Sequence, residues 1–346
     1  MSRLCEDIFV LPLSDIAAVR ATVDDQWCSP VADAVGELWH VAPGGLRFWR
    51  SSAVHVFVVP PGIDGRGVLY ARCAPYDGPA GHRLRQGARR HEHLRAAGAA
   101  VADLARSRHG RTVERVSTPL GDMAACVLRR VEGEELETGD LTADDALAWG
   151  LALVDFHLTA DKARPHADLR PEPVCPANAF TALAAEAEAQ SDADLALAAG
   201  RLGRLYDRQD PKPLVLGHGD FELDNLRWSG GQAACFDLDE SGMMPAAADV
   251  ASAVRDLLGL HPASPQHPEL LAAFLEGYRQ GSGQVISPDE LLLHRASFAA
   301  RQLLEAPAVL DVDAAGTGWL PDLAASLVSH YAGERHIVMG TAAVVP

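Results

Sequence analysis

Lysine is almost absent from this chain of 346 residues, because only Lys162 and Lys212 occur among its 30 basic side chains. All the other basic residues are arginines, and 47 acidic residues outnumber the basic ones to give a formal net charge of −17. Such an acidic chain has no general electrostatic attraction for nucleic acid or for anionic lipid. We therefore expect neither nucleic acid nor a membrane surface as its partner.

Cysteines and long apolar runs are also scarce. Six cysteines are scattered without a C-x-x-C pair, which disfavours a zinc site and a disulfide framework. The longest apolar runs, such as Ile8–Leu13 and Val54–Val59, are too short to cross a bilayer. Glu6 and Asp7 stand where a secretory signal would need basic residues. The sequence therefore predicts a cytoplasmic protein with reduced thiols.

The residues that are present divide the chain into two regions of different pattern. The first region has short β-rich runs and one helical pattern over His82–Arg106. The β-rich runs are Leu46–Arg50, Val54–Val59, Val68–Cys73 and Met123–Val131. After Gly133 the pattern becomes helical. The predicted helices are Thr142–Ala160, Ala177–Asp207, Ala246–Leu260, Pro268–Gln280 and Pro288–Leu304.

These patterns predict an α+β fold with two lobes. The smaller lobe, residues 1–132, combines an antiparallel sheet with a helix, and the larger lobe, residues 133–346, is mainly helical. The boundary is expected near Glu132–Leu136.

One segment of the helical lobe carries a set of polar residues suited to phosphoryl transfer. His218 is followed by Asp220, then by Asn225, and Asp237 lies on a second short apolar segment. A carboxylate can orient a hydroxyl nucleophile and accept its proton, while an amide oxygen and a second carboxylate can hold magnesium. The alternative interpretation is a polar β-turn, because Gly, Asp and Asn favour turns. The flanking apolar segments and the spacing of the second acid favour the catalytic interpretation.

The pattern His218-x-Asp220-x-x-x-x-Asn225, followed by Phe236-Asp237-Leu238, resembles the motifs of the aminoglycoside phosphotransferase and choline kinase family. These small-molecule kinases share the two-lobed fold of protein kinases. The resemblance implies Asp220 as the catalytic residue and Asn225 and Asp237 as the magnesium ligands. His218 would support the loop through hydrogen bonds, and Asp249 stands where the family has an aspartate that braces it.

The resemblance also implies a nucleotide site in the smaller lobe, where this chain departs from the family. In the family, the third strand usually carries a basic residue that pairs with a glutamate on the following helix. In this chain, Arg72 and Glu92 are the residues best placed for this pair. Because arginine binds phosphate by a fork and lysine as a point charge, the change is not neutral.

Two further segments complete the expected nucleotide site. Ser51 and Ser52 lie where a loop would cover the phosphates, although they provide no glycine. The adenine is expected at the lobe connection around Arg129 and Val131. No Walker A motif is present.

The resemblance implies transfer of the γ-phosphoryl group of ATP (or GTP), with Mg2+, to a hydroxyl of a small molecule. An aminoglycoside-like or other antibiotic is one acceptor, with a role in antibiotic resistance, and homoserine, choline-like amines and sugars are others. Acidic residues that could contact a cationic acceptor are Glu222, Asp224, Asp239 and Glu240. A catalytically silent nucleotide- or partner-binding protein, which the missing lysine favours, stays the alternative. Both a monomer and a homodimer remain open.

Overall fold

The computed structural model describes residues 10–62, 67–163, 176–210, 212–313 and 316–346. Within this part the chain forms two compact units. Unit 1 comprises Met1–Glu132, Phe236–Glu240 and Ala308–Ala324, and unit 2 comprises Gly133–Cys235, Ser241–Pro307 and Ala325–Pro346. Unit 1 therefore includes two later segments that a division into 1–132 and 133–346 assigns to the second lobe.

Unit 1 is built on a five-stranded antiparallel sheet with the strand order β1-β2-β3-β5-β4. Its elements, in chain order, are α1 (Leu13–Ala21), α2 (Pro30–Leu38), β1 (Arg47–Ser51), β2 (His55–Val59), β3 (Leu69–Pro75), α3 (Pro79–Ala96), β4 (Val113–Thr118) and β5 (Gly121–Arg129). On the central strand β3, Arg72 lies opposite Val56 of β2 and Cys126 of β5. This register places the only basic residue of β3 in the middle of the sheet.

The core of unit 1 lies where α2 packs on the sheet. Phe57 and Ala71 are fully buried there, together with Val35 of α2. Trp39, at the end of α2, donates its indole N–H to the carbonyl of Ala105 at 2.8 Å, which satisfies the polar atom of a buried ring. The sheet therefore has a rigid apolar support beneath the polar residues of β3.

Unit 2 is mainly helical and holds two short antiparallel ladders, β6 with β9 and β7 with β8. Its elements, two of which extend into unit 1, are α4 (Ala143–Ala163), α5 (Pro176–Ala189), α6 (Ala193–Asp207), β6 (Leu214–Gly217), β7 (Leu226–Ser229), β8 (Gln232–Cys235), β9 (Gly242–Pro245), α7 (Ala246–Ala253), α8 (Arg255–Leu258), α9 (Pro268–Ser282), α10 (Pro288–Val309) and α11 (Trp319–Val344). The ladders place the segment between β6 and β7, which contains Asp220, beside the start of α7.

The structure confirms the four predicted strands as β1, β2, β3 and β5, with ends shifted by at most two residues. It corrects several helices. The predicted helix over His82–Arg106 ends at Ala96, because the chain turns at Gly98 with φ 92°. The predicted helix over Ala177–Asp207 is two helices, separated at Ser191 with φ 63°. The predicted helix over Ala246–Leu260 likewise divides into α7 and α8.

Four cysteines lie in the part of the chain that the structure describes, and all four are free thiols. Cys73, Cys126 and Cys235 are buried, and Cys28 is half-buried. Cys5 and Cys175 lie outside the described residues. Among the helices described, none combines the length and the apolar character needed to span a membrane.

One buried histidine of unit 2 should make stability depend on pH. His294 packs its ring edge-on against Tyr206, and burial lowers its pKa to about 4. Between pH 6.5 and 4 the unfolded chain therefore binds the proton that the folded chain excludes, so acidification destabilises the fold. Between pH 7 and pH 5 we expect this residue to account for a loss of about 2 kcal/mol.

The substitution His294→Phe keeps the ring contact and removes the titrating group. We expect the pH dependence of the free energy of unfolding, measured with urea at pH 7 and pH 5, to become shallower by about 2 kcal/mol. Equal pH dependence in the variant and the wild type would show that His294 is protonated without cost in the folded protein.

Candidate active site

The loop between β6 and β7 in unit 2 is held by a fully buried carboxylate at the start of α7. Asp249 accepts the backbone N–H groups of His218 at 2.8 Å and Gly219 at 2.7 Å, and it pairs with Nε2 of His157 at 2.8 Å. Gly219 has a φ of 83°, a conformation that favours glycine. Burial alone would raise the pKa of Asp249, but the hydrogen bond from His157 holds it below its ordinary value. The ionised carboxylate therefore fixes the backbone of the loop.

The ring of His218 has a supporting place in the same loop. Its Nδ1 accepts the backbone N–H of Asp220 at 3.3 Å, and the side chain is fully buried. Phe156 and Phe221 pack against the ring, with centroids 5.5 Å and 5.4 Å away. The carbonyl of Phe221 in turn accepts the indole N–H of Trp149 at 3.0 Å. The loop is thus fastened to α4 on one side and to α7 on the other.

Both oxygens of the Asp220 carboxylate have fixed partners within unit 2. Oδ1 lies 3.0 Å from Nη1 of Arg255, and Oδ2 lies 2.8 Å from Nδ2 of Asn225. Only 7% of Asp220 is exposed. A carboxylate held at both oxygens has a fixed orientation. A group that accepts a proton from one particular hydroxyl needs such an orientation.

Arg255 joins two acids of the loop. Its second guanidinium nitrogen, Nη2, pairs with Oε1 of Glu222, and all three side chains are at most 12% exposed. Burial raises the pKa of Glu222 well above its ordinary value, against the opposing charge of Arg255. Glu222, a predicted substrate residue, is therefore tied to Arg255 in this structure, and its contact with an acceptor stays a prediction.

Asn225 has an amide oxygen suited to a hard metal ion. Its Nδ2 donates to the carbonyl oxygen of Asp220 at 3.1 Å and to Oδ2 at 2.8 Å, so Oδ1 is the atom left for another ligand. Within the described residues, no hydrogen bond uses that Oδ1. No cluster of three or more His, Cys, Asp or Glu side chains that could hold a metal occurs in this part either. The Asn225 amide oxygen is a donor of the kind that magnesium binds, and magnesium needs few protein ligands when phosphates and water supply the others.

In unit 1, Arg72 lies between two carboxylates. Its Nη2 is 2.7 Å from Oδ2 of Asp237 and 3.0 Å from Oδ2 of Asp239, and its Nη1 is 3.3 Å from Oδ1 of Asp239. Burial lowers the pKa of Arg72, but the two carboxylates reverse this effect and raise it. Burial and the neighbouring charge of Asp237 raise the pKa of Asp239 to about 6, against the opposing charge of Arg72. Asp237 also has a φ of 66°, a strained conformation for a residue with a side chain.

The predicted ion pair between Arg72 and Glu92 is not the one that forms. Glu92 lies on α3 and pairs with Arg106 at 3.3 Å, with 38% of its side chain exposed. The physical reason is that the carboxylates of the 237–239 segment occupy the Arg72 guanidinium instead. The prediction of this pair is therefore corrected to Arg72 with Asp237 and Asp239.

The remaining residues of the expected nucleotide site have these places in unit 1. Ser51 is buried at the end of β1, and its hydroxyl contacts Nδ1 of His55 at 2.9 Å. Ser52 is buried too, and its backbone N–H donates to the carbonyl of Val54. Arg129 donates its backbone N–H to the carbonyl of Asp103, whereas no hydrogen bond of the described residues uses the backbone of Val131. Nucleotide contacts by these four residues stay predictions.

Two further acids were expected near an acceptor. Asp224 is half-buried in the 3-10 turn Leu223–Asn225, and its carbonyl accepts a hydrogen bond from Arg227. Glu240 pairs with Arg83 of α3 at 3.0 Å.

Comparison with known protein families shows the family of this chain. The model of the phosphotransferase enzyme family, APH, matches residues 63–286. The chain belongs to this family. This membership confirms the resemblance drawn from the His218–Asn225 motif, and it confirms the prediction of a small-molecule phosphotransferase. No curated protein matches this phosphotransferase in sequence.

Solved structures similar to this phosphotransferase confirm the predicted kinase-like α+β fold. An amicoumacin kinase in complex with AMP-PNP, Ca2+ and Ami has 16% identity and a TM-score of 0.63, over 92% of this chain and 95% of that chain. An aminoglycoside-3'-phosphotransferase of type VIII has 20% identity and a TM-score of 0.53, over 78% and 98%. A choline kinase from Cryptosporidium parvum Iowa II has 13% identity and a TM-score of 0.52, over 84% and 88%.

Sequence reasoning missed two residues that support the loop between β6 and β7 from α8 and α4. Arg255 follows Asp220 by 35 positions, and His157 precedes Asp249 by 92 positions. Neither lies in a recognisable local motif. The sequence offers one signal for Arg255. It lies six residues after Asp249, just beyond the end of the helix that carries Asp249.

Proposed function

We propose that this phosphotransferase transfers the γ-phosphoryl group of ATP to a hydroxyl of a small molecule, with Mg2+ as its metal. The observation that carries the proposal is the Asp220 carboxylate, buried and held at both oxygens by Arg255 and Asn225. The AMP-PNP and Ca2+ bound to the similar amicoumacin kinase support a nucleotide and a divalent cation. GTP would meet the same phosphate-binding groups, so we treat it as a competing donor in the test.

The chemistry of the chain's own residues follows from their contacts. Asp220 orients the acceptor hydroxyl and takes its proton as the oxygen bonds to the γ-phosphorus and the bond to the bridging oxygen breaks. Asn225, through Oδ1, and Asp237, through its carboxylate, are the side chains that would hold the metal. The bound metal would neutralise charge on the phosphates. Arg72 would bind a phosphate oxygen.

The acceptor class that we propose is a small molecule with both hydroxyl and amino groups. The acidic chain attracts cations, and Asp224 and the exposed Asp256 add negative charge around the loop of unit 2. Hydroxylated antibiotics and hydroxylated metabolites both belong to this class. An antibiotic acceptor would give the enzyme a role in resistance.

A thermal-shift screen tests the proposal directly. The protein is mixed with an ATP analogue and Mg2+, then with a panel of aminoglycosides, macrolides, amino alcohols, homoserine and sugars. We expect stabilisation by the nucleotide, and a further increase in Tm with the acceptor class described above, because ligands that bind only the folded state raise its stability. Acceptors found in this way are then assayed for ADP release with ATP or GTP.

Asp237→Asn tests the metal assignment. The substitution removes a carboxylate charge but keeps the shape of the side chain, so we expect turnover to fall by at least ~10²-fold. The dependence of ATP binding on Mg2+, measured by titration with and without the ion, should disappear at the same time. The half-buried Asp122→Asn, in the same unit and paired with Arg115 at the surface, is the matched control. Unchanged magnesium dependence in Asp237→Asn would contradict the assignment.

A further inference from the structure

The buried charges around Arg72 contain one more carboxylate than the proposed function uses. Arg72 is 7% exposed and Asp239 is 8% exposed, and two oxygens of Asp239 face two nitrogens of the guanidinium. Asp237 touches the same guanidinium through one oxygen and keeps 21% of its side chain exposed. The two acids therefore differ in how tightly they are bound to Arg72.

Helix α3 provides no acid at this place. Gly87 of α3 lies against the 237–239 segment, and a Cβ there would lie 2.4 Å from Oδ1 of Asp239 and 2.9 Å from the carbonyl carbon of Leu238. Arg83, one turn earlier on the same face, pairs with Glu240. Helix α3 therefore presents Gly87 and Arg83, and no carboxylate, to the 237–239 segment.

We infer that Asp239 is the positioning residue of Arg72, in the place that the family resemblance assigns to a glutamate on α3, and that Gly87 makes the space for it. The inference rests on the proposed function, since it concerns how the nucleotide's phosphates are bound. It gives Asp239 a role beneath the phosphates instead of a contact with the acceptor.

The two carboxylates then have separate tasks. Asp237, which meets Arg72 through one oxygen and is the more exposed of the two acids, is the one that can turn to a metal ion, and Asp239 keeps the guanidinium in place when it does. Of the five N–H donors of arginine, the three contacts with Asp237 and Asp239 leave Nε–H and one Nη1–H for a phosphate oxygen. A lysine ammonium is a point charge without this fork. Arginine therefore suits a site in which one cation must contact Asp239, Asp237 and a phosphate oxygen.

Asp239→Asn is the direct test, because the amide keeps the shape while Asp237 still balances the charge of Arg72. We expect the Kd for ATP with Mg2+ to rise roughly ten-fold, the scale of one charge-assisted hydrogen bond. KM for ATP should rise with it, while kcat at saturating ATP changes less than three-fold by this account, since Asp220 is untouched. Asp239→Glu should restore part of the affinity, which a purely structural role would not require.

Further variants sharpen the test. Glu92→Gln should bind ATP as the wild type does, and so should the control Asp122→Asn. In a double-mutant cycle, Arg72→Lys and Asp239→Asn together should weaken binding little more than Arg72→Lys alone, because both disrupt one contact. If Asp239→Asn does not fold, Gly87→Ala displaces Asp239 without removing its charge, and it should weaken ATP binding similarly.

The outcomes separate this inference from the proposed function. Wild-type protein that binds no ATP would overturn both. Wild-type protein that binds ATP with Mg2+, together with an unchanged Kd in Asp239→Asn, or in Gly87→Ala where Asp239→Asn does not fold, would overturn the inference alone. A loss in Glu92→Gln as large as that in Asp239→Asn would return the anchoring role to α3.

Discussion

Asp220→Asn should abolish most of the turnover while leaving ATP binding almost intact. The carboxylate is the proposed proton acceptor, and loss of a positioned general base typically lowers kcat by ~10²-fold or more. Its two neighbours in unit 2, Arg255 and Asn225, are both hydrogen-bond donors to it. An amide can satisfy only one of these donors with its oxygen, so we also expect a loss of about 1–3 kcal/mol in unfolding free energy.

The measurement is steady-state kinetics on an acceptor found in the screen, with ATP titrations beside it. Asp194→Asn is the matched control, because Asp194 lies exposed in the first turn of α6. We expect that variant to keep wild-type turnover. Near-normal turnover in Asp220→Asn would overturn the assignment of Asp220 and, with it, the catalytic interpretation of the loop.

Removing the guanidinium of Arg255 should have the largest effect on stability. Arg255→Ala leaves Asp220 and Glu222 buried beside each other without a counter-charge. Breaking a buried ion pair by removing one partner costs about 3–5 kcal/mol. We expect turnover to fall as well, because Oδ1 of Asp220 loses its fixed partner.

Urea unfolding checks this expectation, with Arg279→Ala as the control. Arg279 also pairs with an acid, Glu276 at 2.7 Å, but both side chains are more than 40% exposed. An exposed pair contributes at most about 1 kcal/mol. Similar small losses in both variants would show that the Arg255 cluster is stabilised by something other than its charges.

Local sequence signals were sufficient to find the His218–Asn225 loop and most of the sheet. His218, Asp220 and Asn225 lie close together in the sequence, within one loop, so their spacing can be read directly. Alternating apolar residues likewise indicate strands directly. The edge strand β4 was missed because its alternation is carried by charged residues, including the buried Glu114. The true end of α3 was readable at Gly98, and the break between α5 and α6 at Asp192, whose side chain caps the second helix.

Contacts over long sequence distances could not be read in the same way. Arg72 finds Asp237 and Asp239 165 and 167 positions later, and the choice between them and Glu92 depends on which residues of α3 face the segment. That choice is decided by Gly87, whose missing Cβ lets the acidic segment approach. A single glycine in a helix gives no sign of such a neighbour in the sequence.

The most direct test of the central claim is to follow the γ-phosphorus of ATP. The wild-type protein is incubated with γ-labelled ATP, Mg2+ and an acceptor from the screen, and the products are separated and examined by phosphorus NMR. The account predicts that the label moves to a hydroxyl of the acceptor as a phosphate monoester, in equal amount to the ADP formed. Label that remains on ATP, or that leaves only as inorganic phosphate whichever acceptor is present, would contradict it.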